Sequence, residues 1–557
     1  MKNRLVAIII LLTGLNQSAV SLEVPDKIFY NGKVVTLAAD FPIVEAFAVK
    51  GERFVATGNS NDIRALASSR TQQVDLAGRT VIPGLVDNHM HLMRSLMLNG
   101  GLDFSKADSI EQVLEVIREA AAKLQPTETI FNSTQWNVSR LREKRLPNRR
   151  ELDSAAPVNP TIVRSASRFQ AVLNSAALRK LGWDAQTPNI KNGTIVKDPD
   201  TGQPTGELSN EAAVIAAEHL MPPVPYEELA AGIERLQQEF NALGLTGVRE
   251  VELRPAEMRV YQRMREEGRL TLRVSMGLAA FPSDVDRMDE ILSGWGVSTG
   301  FGDDMLRLDC VGELAAEGGG GGLMREPYLE PPNFFGNPPW ITPEDLKKVM
   351  VTINRYGWRP CIHVHGDKML DAVLDAFEEA NQLRPIAGRR WVIEHADFLF
   401  HPDQIARVQK LGLLLSVQAR PYQRGEEDIP RLGRERAEYN VPMRLWLDSK
   451  ILVSGGTDWP SFPPNPFTVL GFYVSRATQK GGVAGPSQRI SREEALRVLS
   501  LNNAYMTFQE KVKGSIETGK LADFLVLSDD YLTVPEDKIR EIKPVATYLG
   551  GVQIAGQ

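Results

Sequence analysis

Seven histidines occur in this chain of 557 residues, and four of them stand where short apolar, β-branched runs stop. His89 and His91 form a His-x-His pair after Val81-Ile82-Pro83-Gly84-Leu85-Val86-Asp87. His363 closes Cys361-Ile362-His363, and His395 closes Trp391-Val392-Ile393-Glu394-His395. Asp458 closes Ile451-Leu452-Val453-Ser454-Gly455-Gly456-Thr457-Asp458. Alternate residues of a strand share a face, so the two imidazoles of His89 and His91 point the same way. Neutral imidazoles with a carboxylate make a common ligand set for Zn²⁺ or a similar ion. A second ion needs an anionic bridge, and Glu313, after Leu306-Arg307-Leu308-Asp309-Cys310-Val311-Gly312, is the candidate. A bound ion lowers the pKa of its water from about 15.7 to about 7. Asp458 is placed to accept the water proton and pass it to a leaving group. The expected cofactor is one or two divalent ions, zinc first, although Mn, Fe and Ni suit the same ligands.

Groups this far apart in sequence meet only if their strand ends meet, as they do at one face of a β/α barrel. From about residue 340 onward strands and helices alternate. Helices are expected over Leu346–Tyr356, Lys368–Leu383, Pro402–Leu411 and Arg492–Met506, the last opened by a Ser491/Glu494 capping box. Strands at 359–365, 391–395, 412–418 and 451–457 fit between them, which implies a parallel sheet with right-handed crossovers. The rival, an open doubly wound sheet, lacks its Gly-rich nucleotide turn. The fold class is therefore α/β, a (β/α)₈ TIM barrel spanning 80–509, with Thr80–Asp87 as first strand, Thr246–Leu253 as third and Met305–Leu314 as fourth. Residues of about 100–245 are less regular and read as an insertion over the barrel mouth. Short strands at 22–79 and 510–557 are expected to pair into one small β-sandwich.

With these motifs in view, Val81 to His91 resembles the first-strand signature of the amidohydrolase superfamily. Leu173-Asn174-Ser175-Ala176-Ala177-Leu178, Thr201-Gly202-Gln203-Pro204-Thr205-Gly206, His363-x-x-Gly366-Asp367, Ile393-Glu394-His395-Ala396, Asn465-Pro466 and Gly514-Ser515-Ile516-x-x-Gly519-Lys520-Leu521-Ala522-Asp523 resemble its amidohydrolase-3 branch, to which N-substituted formamide deformylases belong. The resemblance covers nearly all of the chain after its first residues. It implies a metal-dependent barrel with a flanking sandwich that hydrolyses an amide-type C–N bond of an N-acyl amine, N-acyl amino acid or formamide; it also allows a homodimer. This chain departs from the branch at Glu313, where a lysine is usual, at Glu317-Gly318 in place of Asp-Gly, at Phe169 in place of a histidine and at Val392 in place of an arginine. Lactone, ester or carbamate hydrolysis and heterocycle deamination are alternatives on the same barrel, the last weakened by Gly366 where deaminases carry a proton-shuttling Glu. A non-catalytic binding or regulatory role is the remaining alternative, opposed by the complete ligand set.

Trp136, Phe169, Asn174, His365, Gln418 and Trp459 are candidate substrate-binding residues. Gly318–Gly322 is a five-glycine loop expected to move, to let backbone approach the substrate, or to serve equally as a plain flexible linker. A net charge of −6 with 24% charged residues excludes a nucleic-acid partner and leaves a small-molecule substrate. Residues 1–21 read as a cleaved secretory signal: Lys2 and Arg4 precede the apolar Leu5–Leu15, and Ala19-Val20-Ser21 offers a small-residue cleavage site. A periplasmic or secreted protein without a membrane anchor is the expectation. The only cysteines, Cys310 and Cys361, are expected to be free thiols, because period-two counting puts Cys361 on the face of His363 and Cys310 away from Glu313. Asn132, Asn137 and Asn192 match the glycosylation triplet by pattern alone.

Overall fold

The structure is a computed structural model that describes residues 24–97, 101–133, 136, 138–165, 169–318 and 321–556. The signal-peptide expectation for residues 1–21 lies outside them, as does Asn137. Eight parallel strands form the central sheet: β1 (Leu85–Met90), β2 (Leu245–Leu253), β3 (Arg273–Leu278), β4 (Leu306–Ala315), β5 (Pro360–Val364), β6 (Val392–His395), β7 (Leu414–Gln418) and β8 (Val453–Gly456). They neighbour one another in sequence order. The ring closes between β8 and β1 through a parallel bridge of Met90 with Trp459. At this seam Asp458 N donates to His89 O at 2.8 Å and His91 N to Trp459 O at 2.9 Å. The Asp87 carboxylate accepts from Thr457 N at 3.0 Å and Thr457 Oγ1 at 2.6 Å. Gly456 is required here, since a side chain on it would run into Asp87 and Asn88. Burial pushes the Asp87 carboxyl up to about 6 despite those bonds.

Three sequence expectations are corrected. Thr80–Pro83 pairs with Phe524–Leu527 and Lys33–Val35 in a six-stranded sheet of the chain ends, not in the barrel. The chain changes sheets at Gly84, against which Thr246 packs with no room for a β-carbon. The strand at Leu245–Leu253 is the second of the barrel, not the third; the third is Arg273–Leu278, whose Ser275 and Gly277 dilute its apolar run. The helix Tyr226–Ala242, assigned to the insertion, is a barrel helix: Leu229, Ile233, Leu236 and Phe240 bury against the main core.

The insertion builds its own five-stranded sheet in the order Gly193–Lys197, Pro204–Asn210, Gln170–Leu173, Thr161–Arg164 and Ile130–Phe131. It meets loops that follow β3 and β4. Phe169 packs on Trp340 with ring centres 4.3 Å apart, and Lys191 pairs with Asp286 at 2.7 Å. The Ser491/Glu494 capping box is present, but its helix breaks at Leu499-Ser500 into Arg492–Val498 and Leu501–Met506. At the chain ends, Phe29, Phe47 and Phe54 of one sheet pack against Phe524 and Tyr548 of the other.

Candidate metal centre at the barrel mouth

The strand ends bring His89, His91, Glu313, His363, His395 and Asp458 together. Ligand atoms of His89, His91 and Asp458 lie within 4.8 Å of one another, as do those of His89, Glu313 and His395. Three strand-end residues at the mouth adopt the left-handed backbone region: Glu252 (φ 69°), His395 (φ 67°) and Asp458 (φ 58°). Each turn redirects the chain where a strand stops, at a conformational cost that side-chain-bearing residues rarely bear outside functional sites. Without it, His395 would alternate away from Glu394, and only one of the two would face the barrel interior.

Glu313 reaches the same centre through a bulge. Val311 pairs with Pro360 but Leu314 with Ile362, so β4 carries one extra residue. Gly312 sits at φ 136° against the Cys361 carbonyl, where a β-carbon has no space. The bulge also overturns the free-thiol expectation: Cys310 and Cys361 are joined in a disulfide with Cα atoms 5.8 Å apart. Period-two counting from Glu313 back to Cys310 crosses the extra residue and slips by one, so both sulfurs and the carboxylate point inward.

Two of the imidazoles, His89 and His395, are held from behind. His89 Nδ1 lies 2.8 Å from Glu394 Oε2, and Glu394 Oε1 accepts from Arg249 Nη2 at 2.7 Å. Arg249 Nε donates in turn to Asp309 at 2.5 Å, and Asp309 also pairs with Arg359. This buried chain of alternating charge runs up the barrel axis to the mouth. His395 Nδ1 lies 2.5 Å from Gln418 Oε1. Fixing one ring nitrogen in this way sets the tautomer and leaves the other nitrogen's lone pair for a metal.

The donors fit a cation. Nε2 of His89 and Nε2 of His363 are buried without a hydrogen-bond partner. His89 Nε2 stands 3.6 Å from Glu313 Oε2 and 3.7 Å from Asp458 Oδ1; His91 Nε2 stands 3.5 and 3.4 Å from the same two oxygens. These gaps are long for hydrogen bonds. Two tetrahedral ligands each about 2.0–2.1 Å from one zinc stand roughly 3.3–3.4 Å apart, close to what is seen. Burial raises the Glu313 carboxyl, but His89, His363 and His395 outweigh it and hold the group well below the usual range. Burial disfavours a charged His89, yet Glu313 and Glu394 push it well above the ordinary imidazole value. Burial, aided by Arg94, lowers His91 to about 4. Imidazoles and carboxylates gathered at this spacing are a donor set that fits a divalent cation.

Of the six expected substrate-binding residues, two are structural. Asn174 is fully buried, caps the helix Ser175–Leu181 and spends its amide on Thr161, Ala177, Ala156 and Asn159. Trp136 packs on Phe104 in the insertion core and donates to Arg164 O at 2.8 Å. Trp459 is half-buried with its ring edge-on to Phe240. Gln418 holds His395, as above. Phe169 lies on Trp340, and His365 packs on His363 and His395. Asn132, a glycosylation match, is fully buried and bonded to Arg164. Glu394, Arg249, Asp309, Asp397 and Arg420 stand behind the site with no motif to mark them. Their only signal is a charged residue inside an apolar run, as in Trp391-Val392-Ile393-Glu394-His395.

An eight-stranded barrel that converges imidazoles and carboxylates at its strand ends presents a donor set suited to a divalent metal. Residues 72–555 match the amidohydrolase family, and the chain belongs to it. N-substituted formamide deformylase of Arthrobacter pascens is 28% identical over 558 residues, covering 95% of this chain and 98% of the relative. The putative amidohydrolase YtcJ of Bacillus subtilis (strain 168) is 26% identical over 537 residues, covering 94% and 98%. An uncharacterized metal-dependent hydrolase from Pyrococcus horikoshii OT3 shares the fold with a TM-score of 0.70 at 23% identity, covering 92% of this chain and 99% of that one.

Proposed function

We propose that this protein hydrolyses an amide-type C–N bond of an N-acyl amine, N-acyl amino acid or formamide. The observation that carries the reading is the gathering of buried, partnerless imidazole nitrogens and ionised carboxylates at the mouth of the barrel. His89, His91, Glu313, His363, His395 and Asp458 would hold the ion or ions. A divalent ion there, zinc first among candidates, supplies a Lewis acid for the carbonyl oxygen and makes water nucleophilic near neutral pH.

The chain's own groups handle the proton. Asp458 is the more exposed of the two central carboxylates, with 18% side-chain accessibility against 9% for Glu313. It therefore faces the side from which substrate arrives. Burial raises the Asp458 carboxyl, but His91, His89 and His395 hold it below its usual range, so it starts ionised. In the reaction Asp458 accepts a proton from water as the water oxygen bonds to the carbonyl carbon. When the C–N bond breaks, the nitrogen takes the electron pair and Asp458 returns the proton to it. Glu394 and Gln418 keep His89 and His395 aimed throughout.

The similarity to N-substituted formamide deformylase along nearly the whole of both chains supports an amide-type bond. The Cys310–Cys361 disulfide supports an oxidising destination, in line with an exported protein. Among the described residues no helix is long and apolar enough to cross a membrane. The test is a panel of formamides, N-acyl amines, N-acyl amino acids and lactones on metal-loaded protein, scored by release of amine or acid. Turnover of an amide supports the reading; turnover of lactones alone, or of nothing, overturns it.

A further inference from the structure

We propose that His365 is itself a metal ligand, so that His363, His365 and His395 form a three-imidazole site beside the His89–His91–Asp458 site, with Glu313 between the two. The argument starts in the sequence. His363-Val364-His365 is a second His-x-His pair, straddling the end of β5, across the eight-stranded ring from β1 and its own pair. Val364 points into the packed core between barrel and helices, so both histidines point the other way, into the mouth.

The geometry follows. His363, His365 and His395 offer nitrogens that lie within 4.8 Å of one another. The ring centres of His365 stand 4.6 Å from His363 and 4.7 Å from His395. Glu313 Oε1 reaches 2.8 Å from His395 Nε2 and 2.5 Å from His363 Nδ1, while its Oε2 faces His89 and His91. One carboxylate thus serves both groups.

His365 is also braced as ligating histidines are. Its Nδ1 lies 2.8 Å from Asp397 Oδ2, and the same oxygen accepts from Arg420 Nη1 at 2.6 Å. With Nδ1 turned to this carboxylate, the other ring nitrogen, Nε2, is the one left for an ion. A carboxylate behind an imidazole is the usual outer partner of a metal-bound histidine. Three neutral imidazoles suit Zn²⁺, Co²⁺, Ni²⁺ or Cu²⁺ and leave a coordination position open. The bland reading is that His365 merely walls the small cavity it shares with Gly321, Tyr328, Phe398 and Arg420.

The inference rests on the metal-centre reading of the site but not on which bond is cut. The test is titration of chelator-stripped full-length protein with Co²⁺ and with Zn²⁺, followed by elemental analysis and by the visible absorption of the cobalt form. We compare wild type, His365→Gln and Asp397→Asn, with thermal unfolding as a check on folding. In His365→Gln one equivalent is lost, or one site weakens by about tenfold or more, and the cobalt spectrum changes. Asp397→Asn, which leaves every imidazole in place, weakens the same site by roughly 10–100-fold. Unchanged stoichiometry, affinity and spectrum in His365→Gln overturn the proposal, even if KM shifts, because a cavity wall would move KM alone. If His365→Gln does not fold, an unchanged titration in Asp397→Asn overturns it. Failure of every amide to react while the titration behaves as expected would sink the proposed reaction and leave this site standing.

Discussion

Asp458 and Glu313 both face the cation position, yet they are placed for different work. Asp458 is the more solvent-accessible of the two, and Glu313 lies between imidazoles with an oxygen for each group. Asp458→Asn keeps an oxygen toward the ion but cannot take up a proton. We expect it to retain metal and to lose kcat by about 10²–10⁴-fold; near-normal turnover would remove Asp458 from proton transfer. Glu313→Gln removes the charge that balances His89, His363 and His395. Metal content by elemental analysis should fall from two ions to one or none, and unchanged stoichiometry would show that Glu313 is no ligand.

At the scale of elements, the strand ends and the residues just past them carry the candidate ligands, and the devices that aim them are irregularities. The bulge in β4 brings Glu313 round to the face of Cys310, and Gly312 makes room for it. The Cys310–Cys361 disulfide ties β4 to β5 three residues before Glu313 and two before His363, closing a sequence separation of 51 residues. Cross-links of that span restrict the unfolded chain by about 2–4 kcal/mol. The double variant Cys310→Ala/Cys361→Ala should therefore unfold at lower denaturant in proportion, and it should bind metal more weakly than wild type. A variant as stable as the parent, with equal metal affinity, would show that the bond contributes neither. Most strands and helices around the site were legible from apolar periodicity, since each buries one stripe or both faces. The bulge was not, because a single extra residue leaves no compositional mark, and the count from Glu313 to Cys310 went wrong for that reason.

For the whole molecule, closing the ring places a line of buried charge, Arg359, Asp309, Arg249 and Glu394, beneath the mouth. Burial acts to raise Glu394, but Arg249 and His89 bring it down to about 2 from an ordinary 4.5. A carboxylate depressed in the folded state stabilises the fold fully above its unfolded pKa and loses that contribution as pH falls through its folded pKa. In chelator, the Glu394 contribution to the melting temperature should be constant above about pH 5 and be lost steadily from about pH 4.5 toward about pH 2. Glu394→Gln should lower the plateau and flatten the drop. An acid limb with the same slope in the variant would exclude Glu394 as a source of it.

The residue types themselves determined the chemistry expected of this chain. His-x-His, two further strand-end histidines and a Gly-Gly-Thr-Asp stop name a divalent-metal site wherever they meet, and 3.6- and 2-residue periodicities name a β/α barrel around them. Only the tertiary structure decided which charges stand behind His89 and His395, that the cysteines pair, that Asn174 and Trp136 serve the insertion's own packing, and that His365 packs on His363 and His395. Periodicity reports which face a side chain occupies within one strand. Partnership across the ring depends on register, on bulges and on three left-handed turns, and those are set by packing between elements distant in sequence.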